Sequence, residues 1–278
     1  MFREHLSGRA LFLSITLLPF LHHPPLGQEK ALGYSAQQLN CSRFLETGES
    51  SILSEAGGRM RRQTSTRRGS WEFRAAPSNQ QVALEGWLDS LTITRRSEEA
   101  TISPDTDGLL GGRYRGTLSS TGAYTAQVRP FVPDEVAEVA GMHTALDDFF
   151  PPLAHRALKP GESWTDSLGL TIHRLPDSAL SGVPLYRFAL EKRSKAGAAT
   201  TPGDTVPLKL RQRSDEHGEF VWHPLLGLLR RDRTIVVETT VPPGRSVRQA
   251  VRSKVEQRIT LVRNLNPPGC RLPNAGGR

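Results

Sequence analysis

Three side chains of a hydrolase triad, His155, Ser163 and Asp166, lie close together in the stretch FFPPLAHRALKPGESWTDSL, residues 149 to 168. A serine nucleophile needs a base to take its proton and an acid to orient that base. It also needs the sharp strand-to-helix turn G-x-S-x-G that projects its hydroxyl, whereas Ser163 stands in PGESWTDS. The local order reads helix, loop, strand, with Pro160-Gly161 as a tight turn and Trp164 as the first large inward residue of the strand. These three residues are therefore expected to serve the loop and the turn, and no catalytic residue is assigned.

Other reactive constellations fare no better. His143, His155, His173, His217 and His223 are scattered, without the H-E-x-x-H or paired C-x-x-C spacing of a metal site. The stretch SPDTDGLLGGRY sets Ser103, Asp105, Asp107 and Gly108 as a calcium loop would. Its last position is Tyr114, however, where a bidentate Glu is required, so an Asp/Gly turn is expected. Asp147 and Asp148 are adjacent and point apart, and no Gly-rich phosphate loop occurs. The residues thus predict no metal, no cofactor and no enzymatic activity.

The elements that would position these residues are mostly strands. Runs rich in Val, Ile, Thr and aromatics recur, each closed by a turn signal. GSWEFRAA runs into PSNQ, and then QVALEGWLDSLTITRR carries Val82 and Leu84 on one face and Trp87, Leu91 and Ile93 on the other, a change of parity assigned to a bulge at Gly86. Ser120-Thr121-Gly122 joins GRYRGTLSS to AYTAQVRP as a hairpin. Further strands are expected in VPLYRFALEKRS, TVPLKLRQRS, GEFVWH and LLRRDRTIVVETTV. Residues 247 to 263 fit either a strand or a helix. Val247, Val251, Val255, Ile259 and Leu261 alternate with charges, four of the five are β-branched, and a strand returning against TIVVETTV is preferred.

One segment reads as a helix, from 133 to 150. Pro133 suits its first turn, Asp134, Glu135 and Glu138 complement the dipole, and Val136, Val139, Leu146 and Phe150 share a side before Pro151-Pro152 stops it. The fold class is then mostly β with some α: a large curved antiparallel sheet or open half-barrel with one packed helix.

The address comes from the first residues. MFREHLSGRALFLSITLLPFLHHPPLGQEK opens with Arg3 and Arg9 and an apolar run from Ala10 to Leu21. That run is too short to span a bilayer, which needs about 20 apolar residues, and has the order of a secretory signal peptide cut near Gly27. The expected organisation is a signal peptide at 1–27, a flexible linker at 28–41, one β-rich domain at 42–264 and a tail at 265–278. No later segment reads as a transmembrane span, and a secreted, periplasmic or envelope location follows. In an oxidising compartment Cys41 and Cys270, the chain's two cysteines, are expected to form a disulfide. From +8, loss of Arg3, Arg9 and Glu4 leaves a mature net charge of +7, which favours anionic surfaces. Arg59, Arg61, Arg62, Arg67 and Arg68 form the densest basic cluster. No aromatics interleave with them, which argues against nucleic acid and for a solvated strand face or contact with an anionic envelope polymer.

At FFPPLAHRALKPGESWTDS the chain resembles a class of uncharacterised exported bacterial envelope proteins, whose middle reads as a proline pair followed by a Gly-Glu/Asp-x-Trp strand. GEFVWHPLLGLLRR is similar to their later half. The resemblance implies an open curved sheet wrapped on a helix, as in periplasmic lipoprotein carriers, although this chain has no lipobox cysteine. Together these features predict a non-enzymatic exported protein that binds a hydrophobic ligand or lipid on the concave face of the sheet. The candidate contacts are Trp87, Trp164, Phe188 and Trp222. The alternative is a structural or interaction protein docking on anionic polymer through its Arg-rich strand.

Overall fold

A computed structural model describes residues 31–137, 140–199, 210–243 and 249–266, the side chains of 195–199 excepted. The signal-peptide segment 1–27, Val247, Cys270 and most of the expected tail lie outside the described residues. The second partner of the expected Cys41 to Cys270 bridge is therefore one of them.

Alternating sequence produces strands throughout. They are β1 (Arg43–Ala56), β2 (Arg59–Ser78), β3 (Gln81–Arg96), β4 (Thr101–Ile102), β5 (Tyr114–Ser119), β6 (Tyr124–Val128), β7 (Ser163–Thr165), β8 (Leu170–Arg174), β9 (Ser178–Leu180), β10 (Val183–Ala199), β11 (Leu210–His223), β12 (Gly227–Val241) and β13 (Val251–Arg263). They make one antiparallel sheet in the order β6-β5-β3-β2-β1-β13-β12-β11-β10-β8-β7, with β4 on β3 and β9 on β10. The mostly-β class is as the alternation predicts. So are the hairpin, where Gly122 takes φ +95°, and the strand over 251–263, which pairs with both β1 and β12.

Neighbouring strands stand ~4.8 Å apart, so β5 and β8, eight places apart in this order, would be ~38 Å apart in a flat sheet. Both nevertheless contribute to one core cluster, through Tyr114 and Leu118 on one side and Leu170 and Ile172 on the other. The sheet curves so that its inner face wraps the segment 131–158, which supplies Val132, Val136, Met142, Leu146, Phe149, Phe150, Leu153 and Leu158 to the core.

That segment departs from the expected helix over 133–150. Among the described residues it holds one α-helical turn, α2 (Asp134–Ala137), and a 3-10 turn at Met142–Thr144. Gly141 between them has a ψ of 59°, far from helical. The reason lies in where its carbonyls bond. Tyr114 Oη donates to Met142 O at 2.7 Å, Tyr34 Oη to Pro151 O at 2.9 Å, Arg231 Nη1 to Phe149 O at 2.9 Å and to Asp148 O, and Arg174 Nη1 to Leu158 O at 3.3 Å. Tyr34 ahead of α1 and the sheet's Tyr114, Arg174 and Arg231 satisfy carbonyls of this segment from outside, so it runs as an irregular strap. Its Phe149 and Phe150 pack against Phe44, Trp71, Phe73 and Tyr34 at centroid distances of 5.1 to 5.7 Å, each pair adding ~1 kcal/mol beyond its burial.

Two further expectations are corrected. Residues 31–41 of the expected flexible linker are packed: Tyr34 and Leu39 are buried, and α1 (Ala36–Leu39) is closed by a capping box between Ser35 and Gln38. The bulge in β3 lies at Asp89 rather than Gly86, because the register jumps where Ser70 pairs with Ser90 and Trp71 with Leu88. Gly86 serves close packing instead, since a Cβ there would meet Phe73 Cε1 at 2.7 Å.

Candidate functional site

Residues paired directly across antiparallel strands share a face, so the register sorts the inner face into rows. One row reads Leu91, Gly69, Glu46, Leu261, Arg231, Phe220, Phe188, and the next reads Ile93, Arg67, Gly48, Ile259, Arg233, Gly218, Leu190. On the side of α1 the inner face is aromatic and buried beneath the strap. On the other side β1, β12 and β13 continue as a distal arm with rows Ser50, Gln257, Ile235; Ile52, Val255, Val237; Ser54, Ser253, Thr239; and Ala56, Val251, Val241.

The boundary between these regions is charged. Glu46 (5 % exposed) accepts from Trp71 Nε1 at 2.7 Å, and its other oxygen lies 2.5 Å from Arg67 Nη2. Arg67 reaches it by lying across Gly48, where a Cβ would come within 2.9 Å of Arg67 Cγ. Three strands away, Glu216 accepts from Arg233 Nε at 2.7 Å and Nη2 at 3.1 Å, and Arg231 Nη2 stands 3.8 Å from it. Burial, reinforced by Arg233, pulls the Arg231 guanidinium down to about 10, against the opposing pull of Glu216, Tyr34 and Asp148. Leu261, Ile259 and Gln257 of β13 form the floor between the two ion-paired groups, and Ala145, Asp148 and Phe149 of the strap form the roof. The cleft so enclosed measures about 260 Å³.

The expected ligand-contact aromatics do not converge on one site. Phe188 stacks on Phe220 at 4.8 Å and Trp222 meets Tyr34 edge-on at 4.9 Å, both as core residues under the strap. Trp87 is on the outer face, beneath the Arg113 guanidinium at 3.9 Å and Arg74 at 5.7 Å. Trp164 lies on β7 with His155 against its edge at 5.6 Å. The basic cluster divides as well: Arg59, Arg61 and Arg67 occupy inner-face positions of β2, Arg62 and Arg68 outer ones, and Arg67 is taken up by Glu46. The candidate triad residues have separate employments. His155 packs on Trp164, Ser163 pairs with His173 in the ladder, and Asp166 Oδ1 accepts from Leu168 N and Leu170 N in a turn, both at 2.8 Å. Asp105 Oδ1 likewise accepts from Asp107 N at 2.9 Å, the turn expected there.

Of the boundary residues, Arg67 belongs to the basic cluster expected to contact anionic polymer, whereas Glu46, Glu216, Arg231 and Arg233 were not singled out by spacing or motif. The signal that marks them is parity: each is a charge at a position where its strand otherwise alternates toward the apolar face.

No protein-family profile matches the chain, and no curated protein matches it. Among solved structures it is similar to a chain described as "lipid-protein interactions in lipovitellin", with 11 % identity and a TM-score of 0.43. That match covers 85 % of this chain but 28 % of the other. It is also similar to a putative outer membrane lipoprotein-sorting protein domain from Vibrio parahaemolyticus (9 % identity, 83 % and 89 % covered, TM-score 0.18). A third likeness is to a DUF1329 family protein from Desulfovibrio piger (9 % identity, 77 % and 83 % covered, TM-score 0.13). At these scores the likenesses carry no functional weight. Among the described residues no helix is long and apolar enough to cross a membrane, which says nothing of crossing by strands.

Proposed function

We propose that this is an exported, non-enzymatic protein that binds a lipid or other amphiphilic molecule along the inner face of its distal arm. One observation carries the reading. Beyond the charged boundary, every inner-face residue of the three central strands β1, β12 and β13 is uncharged, with Arg61 and Arg59 of β2 beside Ser54 and Ala56 at the border of these rows, and Ile52, Ile235, Val237, Val241, Val251 and Val255 are only half-buried there. The outer positions of the same strands carry Glu49, Glu55, Glu238, Arg252, Lys254, Glu256 and Arg258. Alternation of this kind belongs to a sheet with one face packed on apolar material. A row of half-buried aliphatics on that face suits an apolar guest better than water. The expected lipid-binding face is thereby kept, while its contacts move from Trp87, Trp164, Phe188 and Trp222 to the aliphatic rows.

The test is lipid mass spectrometry on protein purified from its host, combined with displacement of an environment-sensitive fatty-acid dye. Co-purified lipid and dye uptake are expected. Val237→Gln with Val255→Gln should reduce uptake at least tenfold, and the outer-face change Val236→Gln should leave it within twofold. Protein that is empty and takes up no dye would overturn the proposal.

A further inference from the structure

We infer that the cleft beneath the strap is a head-group site that selects amphiphiles with an anionic carboxylate or phosphate head, the tail running out along the distal arm. The inference rests on the lipid-binding reading above and adds the chemistry of the guest. It starts from a surplus of donors. Three guanidiniums, Arg67, Arg231 and Arg233, line the cleft, each with about five N–H donors. Their partners are few: Glu46 for Arg67, Glu216 and a 3.5 Å approach of Asp148 for Arg233, and two strap carbonyls with Glu216 at 3.8 Å for Arg231. The Nε atoms of Arg67 and Arg231 are buried without an acceptor. Unmatched donors in a half-dry cleft are costly, and a guest with two or three charged oxygens supplies the acceptors.

Geometry gives the residues different parts. Arg231 is pinned to the strap and fixed in place. Arg233 reaches toward Asp148, whose side chain is 75 % exposed and free to yield to a competing anion. Arg67 holds only one oxygen of Glu46. Arg67 and Arg233 are thus the head-group contacts, and Arg231 and Gly48 position them. The apolar floor of Leu261 and Ile259 continues into Ile235, Val237 and Val255, so a chain anchored by its head at Arg233 lies over the aliphatic rows. Successive same-face residues are ~6.7 Å apart, so the path from Arg233 to Val241 is ~27 Å, enough for a long acyl chain.

Palmitate, lysophosphatidic acid and hexadecanol separate the possibilities by competing for a dansyl-labelled fatty acid on the full chain. Wild-type protein should bind palmitate or lysophosphatidic acid at least tenfold more tightly than hexadecanol, and whichever of the two binds better names the head. Arg67→Gln and Arg233→Gln should each cut that preference to threefold or less, while Arg233→Lys keeps a part of it. Hexadecanol bound as tightly as both anions would overturn the head-group site and leave the lipid-binding face standing. If none of the three binds, the lipid-binding reading fails and this inference with it. The wild-type comparison alone decides the matter should a variant fold poorly.

Discussion

The two ends of the inner face are built on the same strands and obey the same alternation, yet they carry different side chains. Under the strap β1, β2, β11 and β12 present Phe44, Trp71, Phe73, Phe220, Trp222 and Leu228, all nearly inaccessible. In the distal arm β1, β12 and β13 present Ile, Val, Ser, Thr and Gln of moderate size, half-buried. Alternation follows from the pleat, which sends successive side chains to opposite faces. Side-chain size follows from what lies opposite, and the rings under the strap are long enough to fill the space between sheet and strap. Where the aliphatic rows begin, the strap has given way to a ring of ion pairs, and the inner-face side chains are only half-buried.

The sharpest way to break this comparison is to truncate one side chain in each region. Trp222→Ala removes a fully buried indole and should cost about 4 kcal/mol. In a domain of this size that lowers Tm by roughly 10 °C or more. Val237→Ala, in the distal arm, should cost about 1 kcal/mol or less. Thermal unfolding checks both, and equal losses would mean that the distal arm is as tightly packed as the core.

Alkaline pH probes the strap end alone. Burial raises Tyr34 and Tyr114 well above the ordinary phenol range and, with Asp147 adding to burial, pushes Tyr124 up to about 12. Native protein therefore keeps these protons while the unfolded chain releases them near 10. Stability is full below pH 10 and declines above it, by about 1.4 kcal/mol per pH unit for each tyrosine. Arg231 works the other way, because its folded state gives up a proton from about 10, before the unfolded chain does. Burial lowers Arg113 and Arg263 in the same sense, so the three tyrosines set the decline just above pH 10 and the arginines oppose it. In a Tyr186→Phe background, which leaves these three tyrosines alone, phenolate absorbance should rise together with unfolding, and a gradual rise in native protein would show these rings to be open to water.

The ion-pair ring that separates the two regions comes next in size. Glu216→Gln leaves Arg231 and Arg233 without their shared carboxylate and should cost about 2 kcal/mol, whereas Glu256→Gln on the exposed outer face should change stability by no more than about 0.5 kcal/mol. Chemical denaturation measures both. A neutral Glu216→Gln would mean that the ring does not hold the fold together at its boundary.

Much of this architecture was legible in the sequence because a strand records its faces every second residue. The long ladder of β1, β12 and β13 could be read from Ile235 and Val237 against Glu238, or Val255 against Lys254 and Glu256. The strap could not, because its residues at Val136, Leu146 and Phe150 fit a helical period while its carbonyls were claimed by Tyr34, Tyr114 and Arg231 from distant parts of the chain. Such a long-range contest leaves no local trace. The capping box at Ser35 and Gln38 did leave one, in the S-x-x-Q spacing, and it marks residues 31–41 as ordered. The proposed lipid face lies on the aliphatic rows rather than on the four aromatics expected from the sequence. Large rings attract attention in a sequence, whereas here they mark the part of the face that the chain covers for itself.

The smallest expected effect concerns the residue that permits the ring to close. A Cβ at Gly48 would stand 2.9 Å from both Cγ and Nε of Arg67, so Gly48→Ala must push that side chain off its path to Glu46. The φ of Gly48 is not in the left-handed region, so the backbone tolerates the change and the cost, about 0.5–1 kcal/mol, is that of the displaced, half-buried pair. A double-mutant cycle with Arg67→Gln isolates it: if Gly48→Ala acts through Arg67, its effect vanishes once Arg67 is gone, a coupling within the range seen for touching residues. The same alanine should weaken any preference for anionic over neutral amphiphiles. It should leave the melting behaviour of Trp222→Ala additive with its own, because the indole lies on the strap side of the boundary. Additivity with Arg67→Gln, in contrast, would show that glycine is there for some other neighbour, and that the boundary arginine needs no cleared path across β1.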